Sequence, residues 1–79
     1  MMNKTEATDW VEGLLIGGEP LKISVLTVTS LGVKFEIIEP SPEQLMEFKF
    51  GQSLRDQEGD PKNKISKEGD KIVLVVYTV

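Results

Sequence analysis

The C-terminal run Lys71-Ile72-Val73-Leu74-Val75-Val76-Tyr77-Thr78-Val79 constrains this chain more than any other segment. Its length and β-branched content suit a strand, and successive side chains of a strand point to opposite faces. Both faces are apolar here, with Ile72, Leu74 and Val76 on one and Val73, Val75 and Tyr77 on the other. Such a strand belongs at the centre of a sheet, or at an edge that a partner molecule covers. The chain has 79 residues, with neither Cys nor His among them. Disulfides and thiolate or imidazole metal ligands are thereby excluded, together with Cys-based and His-based catalysis. Cover for the strand must come from one small domain or from a second molecule.

Residues 1–9 are polar and without periodicity, which predicts a flexible N-terminal arm ahead of a single domain over 10–79. The N-terminus lacks the apolar run of a secretory signal, and no stretch approaches the roughly 18 apolar residues of a membrane span. A soluble, cytoplasmic protein with no membrane partner is expected. Trp10 to Ile16 is apolar-rich and stops at Gly17-Gly18, a first strand followed by a turn. Leu21 to Thr29 begins in clean alternation, with Leu21, Ile23 and Val25 on one face, and then slips phase to Leu26 and Val28. That slip predicts a bulge, or a strand buried on both faces. After a turn at Ser30-Leu31-Gly32, the residues Val33, Phe35 and Ile37 alternate with Lys34 and Glu36. The two segments therefore pair as an antiparallel hairpin.

Pro40 stops this strand, and Ser41-Pro42-Glu43-Gln44 reads as a helix start. Ser41 caps, Pro42 takes the first helical position, and Gln44 completes a capping box. A helix over about 42–50 follows, with Leu45, Met46, Phe48 and Phe50 as its apolar side and Gly51 as its stop. It is too short to stand alone and must pack on the sheet. Residues 52–54 fit a short strand or a helix extension equally well. From Arg55 to Lys71 ten of seventeen residues are charged, which predicts a charged loop or a polar ribbon with turns at Asp60-Pro61 and Glu68-Gly69-Asp70. The fold expected is a β-rich α+β domain: four or five mainly antiparallel strands in a sheet or small open barrel, with one short helix. The expected core is Trp10, Leu14, Ile16, Ile23, Val25, Val33, Phe35, Ile37, Leu45, Phe48, Ile72, Leu74 and Val76.

Three motifs resemble chemistry and fall short of it. Asp56-Gln57-Glu58-Gly59-Asp60 is acidic at the first, third and fifth positions of a calcium loop, but Pro61 and Lys67 stand where such a loop needs Gly and Glu. Gly17-Gly18 leads into Glu19-Pro20 and a strand, whereas a phosphate loop leads into a helix. Glu36, Glu39, Glu43 and Glu47 could supply an acid–base pair, yet a chain this small has little surface from which to build the required cleft. No metal and no cofactor is expected.

Charge distribution is more informative. Residues 35–60 hold Glu36, Glu39, Glu43, Glu47, Asp56, Glu58 and Asp60 against Lys49 and Arg55, while Lys62, Lys64, Lys67 and Lys71 make the late segment basic. An acidic face favours a basic protein partner and repels the nucleic-acid backbone. The leading expectation is a non-enzymatic protein-interaction module, a small accessory, inhibitor or assembly protein of phage or mobile-element type, binding through Glu36, Glu39, Glu43 and Glu47. A homodimer through the C-terminal strand is a second expected association. The alternatives are a small-barrel nucleic-acid binder using Lys62, Lys64, Lys67 and Lys71, and an enzyme with paired carboxylates.

Two stretches carry family resemblances. LKISVLTVTSLGVKFEIIEP is similar in rhythm to the paired strands of the carbon storage regulator family of small RNA-binding dimers, over about a quarter of the chain. No basic residue stands after Pro40 where that family places its RNA contact, and this chain adds a terminal apolar strand. LGVKFEIIEPSPEQLMEF looks like the strand-then-helix rhythm of phage tail assembly chaperones. The first resemblance implies an RNA-binding dimer and the second an assembly partner; the chain is assigned to neither.

Overall fold

A computed structural model describes residues 2–78, in the order α1 (Lys4–Glu12), β1 (Leu15–Ile16), β2 (Glu19–Pro20), β3 (Ile23–Val28), β4 (Gly32–Ile37), α2 (Pro42–Glu47), β5 (Asn63–Glu68) and β6 (Lys71–Tyr77). Four strands form an open antiparallel sheet in the order β3-β4-β6-β5, and β1 and β2 form a separate two-residue ladder. This is the expected β-rich α+β architecture, without closure into a barrel. Among the described residues no helix is long and apolar enough to cross a membrane.

The two-faced C-terminal strand takes the central position, with β4 and β5 paired along its two edges. Edge pairing of β6 with a second copy is therefore not available in this fold, which corrects the expected route to a homodimer. Val79, the last residue of the expected strand, lies outside the described residues. Leu74 and Val76 join Val33, Phe35, Ile37 and Ile65 in the core under one face of the sheet, while Val73 is buried on the other face.

Several elements depart from expectation. Lys4–Glu12 is a helix where a flexible arm is predicted. Asn3 and Glu6 form a reciprocal capping box, and Ala7 and Val11, one turn apart, bury against β4. The predicted first strand over Trp10–Ile16 is consequently helix to Glu12, with only Leu15–Ile16 extended. The bulge falls between Val25 and Thr27 as the phase slip predicts. Val25, expected in the core, is 51% exposed, because β3 is the edge strand and the helix that covers the sheet packs on β4. Finally, the segment over 55–71 is not all loop: Asn63–Glu68 forms the ribbon strand that turns at Gly69-Asp70 into β6.

Candidate functional site

The first turn of α2 is seated on the β1–β2 hairpin. Gly17 and Gly18 both have positive φ, at 64° and 80°, as a two-residue hairpin of matching twist requires. A Cβ on Gly17 would lie 2.9 Å from the Gln44 backbone nitrogen, so the hairpin and the helix touch backbone to backbone. Ser41 Oγ accepts from Gln44 N–H, Gln44 Oε1 accepts from Ser41 N–H, and Gln44 Nε2 donates to the Glu19 and Pro20 carbonyls at 3.3 and 3.2 Å. The buried side of α2 is therefore Gln44, joined one turn later by Phe48 at the C-cap.

This arrangement turns Leu45, Met46 and Phe50 of the expected apolar side outward and keeps Phe48 in the core. Leu45, placed in the core by its spacing, is 44% exposed, and Met46 is 84% exposed. The helix ends at Glu47 rather than at residue 50 because Phe48 turns extended to reach the core. At about 100° per residue, Met46 points directly away from Gln44, with Glu43 on one flank and Leu45 on the other. The outer surface of α2 is thus an apolar tip beside the carboxylates of Glu43 and Glu47.

The remaining acidic residues stand elsewhere. Glu36 lies on the open face of the sheet, opposite Ser24 and Val73, and Glu39 occupies a left-handed position, φ 44°, in the loop before α2. The four carboxylates are thus spread over a strand, a loop and a helix. Among the described residues no three carboxylates gather as metal ligands would.

The lysines divide. Lys62 and Lys64 line an open groove of about 730 Å³ with Gln52, Ser53, Asp56 and Tyr77. Tyr77 enters this groove because its backbone N–H donates to the Lys62 carbonyl and β6 carries its ring to the same face as Lys64. Lys67 falls on the other face, its ammonium 5.0 Å from the centroid of the Phe50 ring. Lys71 sits at the hairpin turn opposite Glu68.

Two buried or half-buried clusters hold the connecting segment over 48–62 in place. Trp10 Nε1 donates to Asp60 Oδ1 at 3.2 Å, Arg55 donates to both oxygens of the same carboxylate at 2.8 and 3.2 Å, and the guanidinium lies 5.6 Å over the indole. The Arg55 hydrogen bonds, helped by Trp10 and the Gln57 N–H, hold the Asp60 carboxyl down at about 2. Asn63 is buried and closes a second cluster: its Oδ1 accepts from Leu54 N–H, and its Nδ2 donates to the Leu54 and Pro61 carbonyls. Gln44, Asn63 and Asp60 carry no periodic signal, since the bonds of each reach residues that only the fold brings near.

No family model, curated protein or solved structure matches this chain.

Proposed function

We propose that this chain is a non-enzymatic protein-interaction module, and that its partner presents basic residues around an apolar pocket. The observation that carries the reading is Met46, 84% exposed on a helix whose inward face is occupied by Gln44 and Phe48. An unbranched thioether is an adaptable anchor, and Glu43 and Glu47 beside it add attraction for Lys or Arg. Seating against Gly17 holds this surface rigid, which lowers the ordering cost of binding. Of the four acidic residues, Glu43 and Glu47 make the contact, and Glu36 and Glu39 contribute to the long-range field. The class of protein is a small cytoplasmic accessory, inhibitor or assembly factor of phage or mobile-element type.

Affinity capture with the chain as bait tests this. The variant carrying Glu43→Lys and Glu47→Lys, and separately Met46→Ala, should lose the captured partner while the melting temperature stays within a few degrees. Capture that survives both variants overturns the reading.

A second reading rests on the groove, where Tyr77 stands beside Lys62 and Lys64. An aromatic ring between cationic side chains suits a single-stranded nucleic acid, with a base stacked and phosphates paired, although Asp56 in the same groove opposes it. Oligonucleotide binding that weakens steeply with salt and disappears in Tyr77→Ala supports this reading, and the absence of any shift at low salt removes it.

A further inference from the structure

Every strand of the main sheet has two edges, and in this sheet all but one are occupied. β4 and β6 are interior. The outer edge of β5 is covered by the segment 51–54: Gly51 N–H donates to the Ile65 carbonyl at 2.6 Å, Ile65 N–H to the Gln52 carbonyl at 3.0 Å, and Ser53 Oγ to the Asn63 carbonyl at 2.8 Å. The outer edge of β3 is the one left open among the described residues. Ile38 N–H donates to the Lys22 carbonyl and Thr29 N–H to the Gly32 carbonyl, at 2.7 and 2.8 Å. Hydrogen-bonded and non-bonded pairs alternate along an antiparallel ladder, so Ile23 and Val28, which fall between those bonded pairs, turn their backbone groups toward the open edge.

The chemistry of that edge is unusual for this chain. Open edges are commonly guarded by charges, above all Lys, by Pro or by a β-bulge, and of these β3 has only the bulge between Val25 and Thr27. β3 reads Ile-Ser-Val-Leu-Thr-Val, with no charge and no Pro, and Val25, Leu26 and Val28 are 51, 38 and 41% exposed. The chain carries a net charge of −4, so two copies repel each other over most of their surface. An uncharged edge is where that repulsion is least.

We infer that β3 pairs antiparallel with β3 of a second copy, joining two four-stranded sheets into one of eight strands. The pairing is self-complementary about a two-fold axis between Val25 and Leu26. Ile23 falls opposite Val28 of the second copy, both with backbone groups directed at the junction, and Ser24 falls opposite Thr27. The side chains of Ile23, Val25 and Val28, which share the face of Ile37, Phe35 and Val33, then cover one another beyond the strip at β4 on which α1 packs. Because the contact uses the one edge of the main sheet left open among the described residues, assembly stops at two.

Light scattering across a concentration series tests the inference. The expected mass is twice that of one chain. Val25→Lys and Val25→Glu, both at an exposed position, should each run as a single chain with an unchanged far-UV circular dichroism spectrum. An equimolar mixture of the two should recover the doubled mass, because opposite charges then meet across the axis. A single-chain mass for the unaltered protein at millimolar concentration overturns the inference, as does a mass above two chains, a doubled mass in either variant alone, or a mixture that stays single.

Discussion

Lys34 on β4 and Glu68 on β5 form an ion pair at 2.8 Å although β6 runs between their strands. Lys34 is level with Val75 and Glu68 with Lys71, so the pair crosses β6 over Val73, midway between them. Val73 is 1% exposed on a face that no helix covers. The methylene stem of Lys34 supplies the cover while its ammonium reaches the carboxylate. The two-faced strand that needs burial on both sides thus obtains it from the core on one face and from a charged residue's hydrocarbon on the other.

A consequence is that the stem should matter more than the charge. Lys34→Met, which keeps the stem, is expected to stay within about 0.5 kcal/mol of the parent, since both partners are substantially solvated. Lys34→Ala should cost about 1 kcal/mol, because Val73 then meets water. Urea denaturation of the two variants measures the difference.

Asn63→Ala removes all three side-chain bonds at once and leaves the buried Leu54 N–H without a partner. A loss of about 1–3 kcal/mol is expected, the desolvation penalty of an unsatisfied buried group. Hydrogen exchange at the Leu54 amide should accelerate ahead of global unfolding if this side chain is what holds the segment.

Gly17 and Gly18 both need the left-handed region, yet only Gly17 abuts backbone; a Cβ at Gly18 meets nothing within 4 Å. Gly18→Ala should cost about 1 kcal/mol from backbone conformation alone. Gly17→Ala should cost more, and should also disturb capture of a partner by α2. Equal losses at the two positions would show that the hairpin does not seat the helix.

Asp60 has a folded pKa of about 2, below its unfolded value near 4. Its contribution to stability is therefore fully present above pH 4 and is lost as pH falls from there through about 2. Trp10, the single tryptophan, bonds directly to this carboxylate, so its fluorescence should change across that window. Asp60→Asn should remove that part of the acid transition, while Asp56→Asn should leave it in place.

The local devices were legible in the residues. The Ser41–Gln44 capping box, the phase slip after Val25, the alternation of Val33, Phe35 and Ile37, and the two apolar faces of β6 all follow from short-range spacing, because each depends on residues within a few positions of one another. The inward face of α2 was not legible. Apolar spacing pointed Leu45 inward, but seating on the β1–β2 hairpin puts Gln44 there, where its Nε2 donates to the carbonyls of Glu19 and Pro20. The Asn3–Glu6 box of α1 was present in the sequence, though the two apolar contacts it organises, Ala7 and Val11, are too few to raise a periodic signal. Nor did the spacing of the lysines show that Tyr77 would stand with Lys62 and Lys64 while Lys67 crossed to the other face.

By itself, then, the sequence determined a small, disulfide-free, β-rich domain with a two-faced C-terminal strand and an acidic middle, since composition and period-two patterning act locally and without knowledge of neighbours. Tertiary structure alone decided which edge stays open, which side of α2 faces water, and which polar side chains are buried. Those outcomes depend on hydrogen-bond partners brought together from 24 positions apart, as Gln44 is to Pro20, and 50 apart, as Trp10 is to Asp60. The close approach of α2 to the Gly17 backbone set which side of the helix meets the hairpin, and that placed Gln44 rather than Leu45 against it.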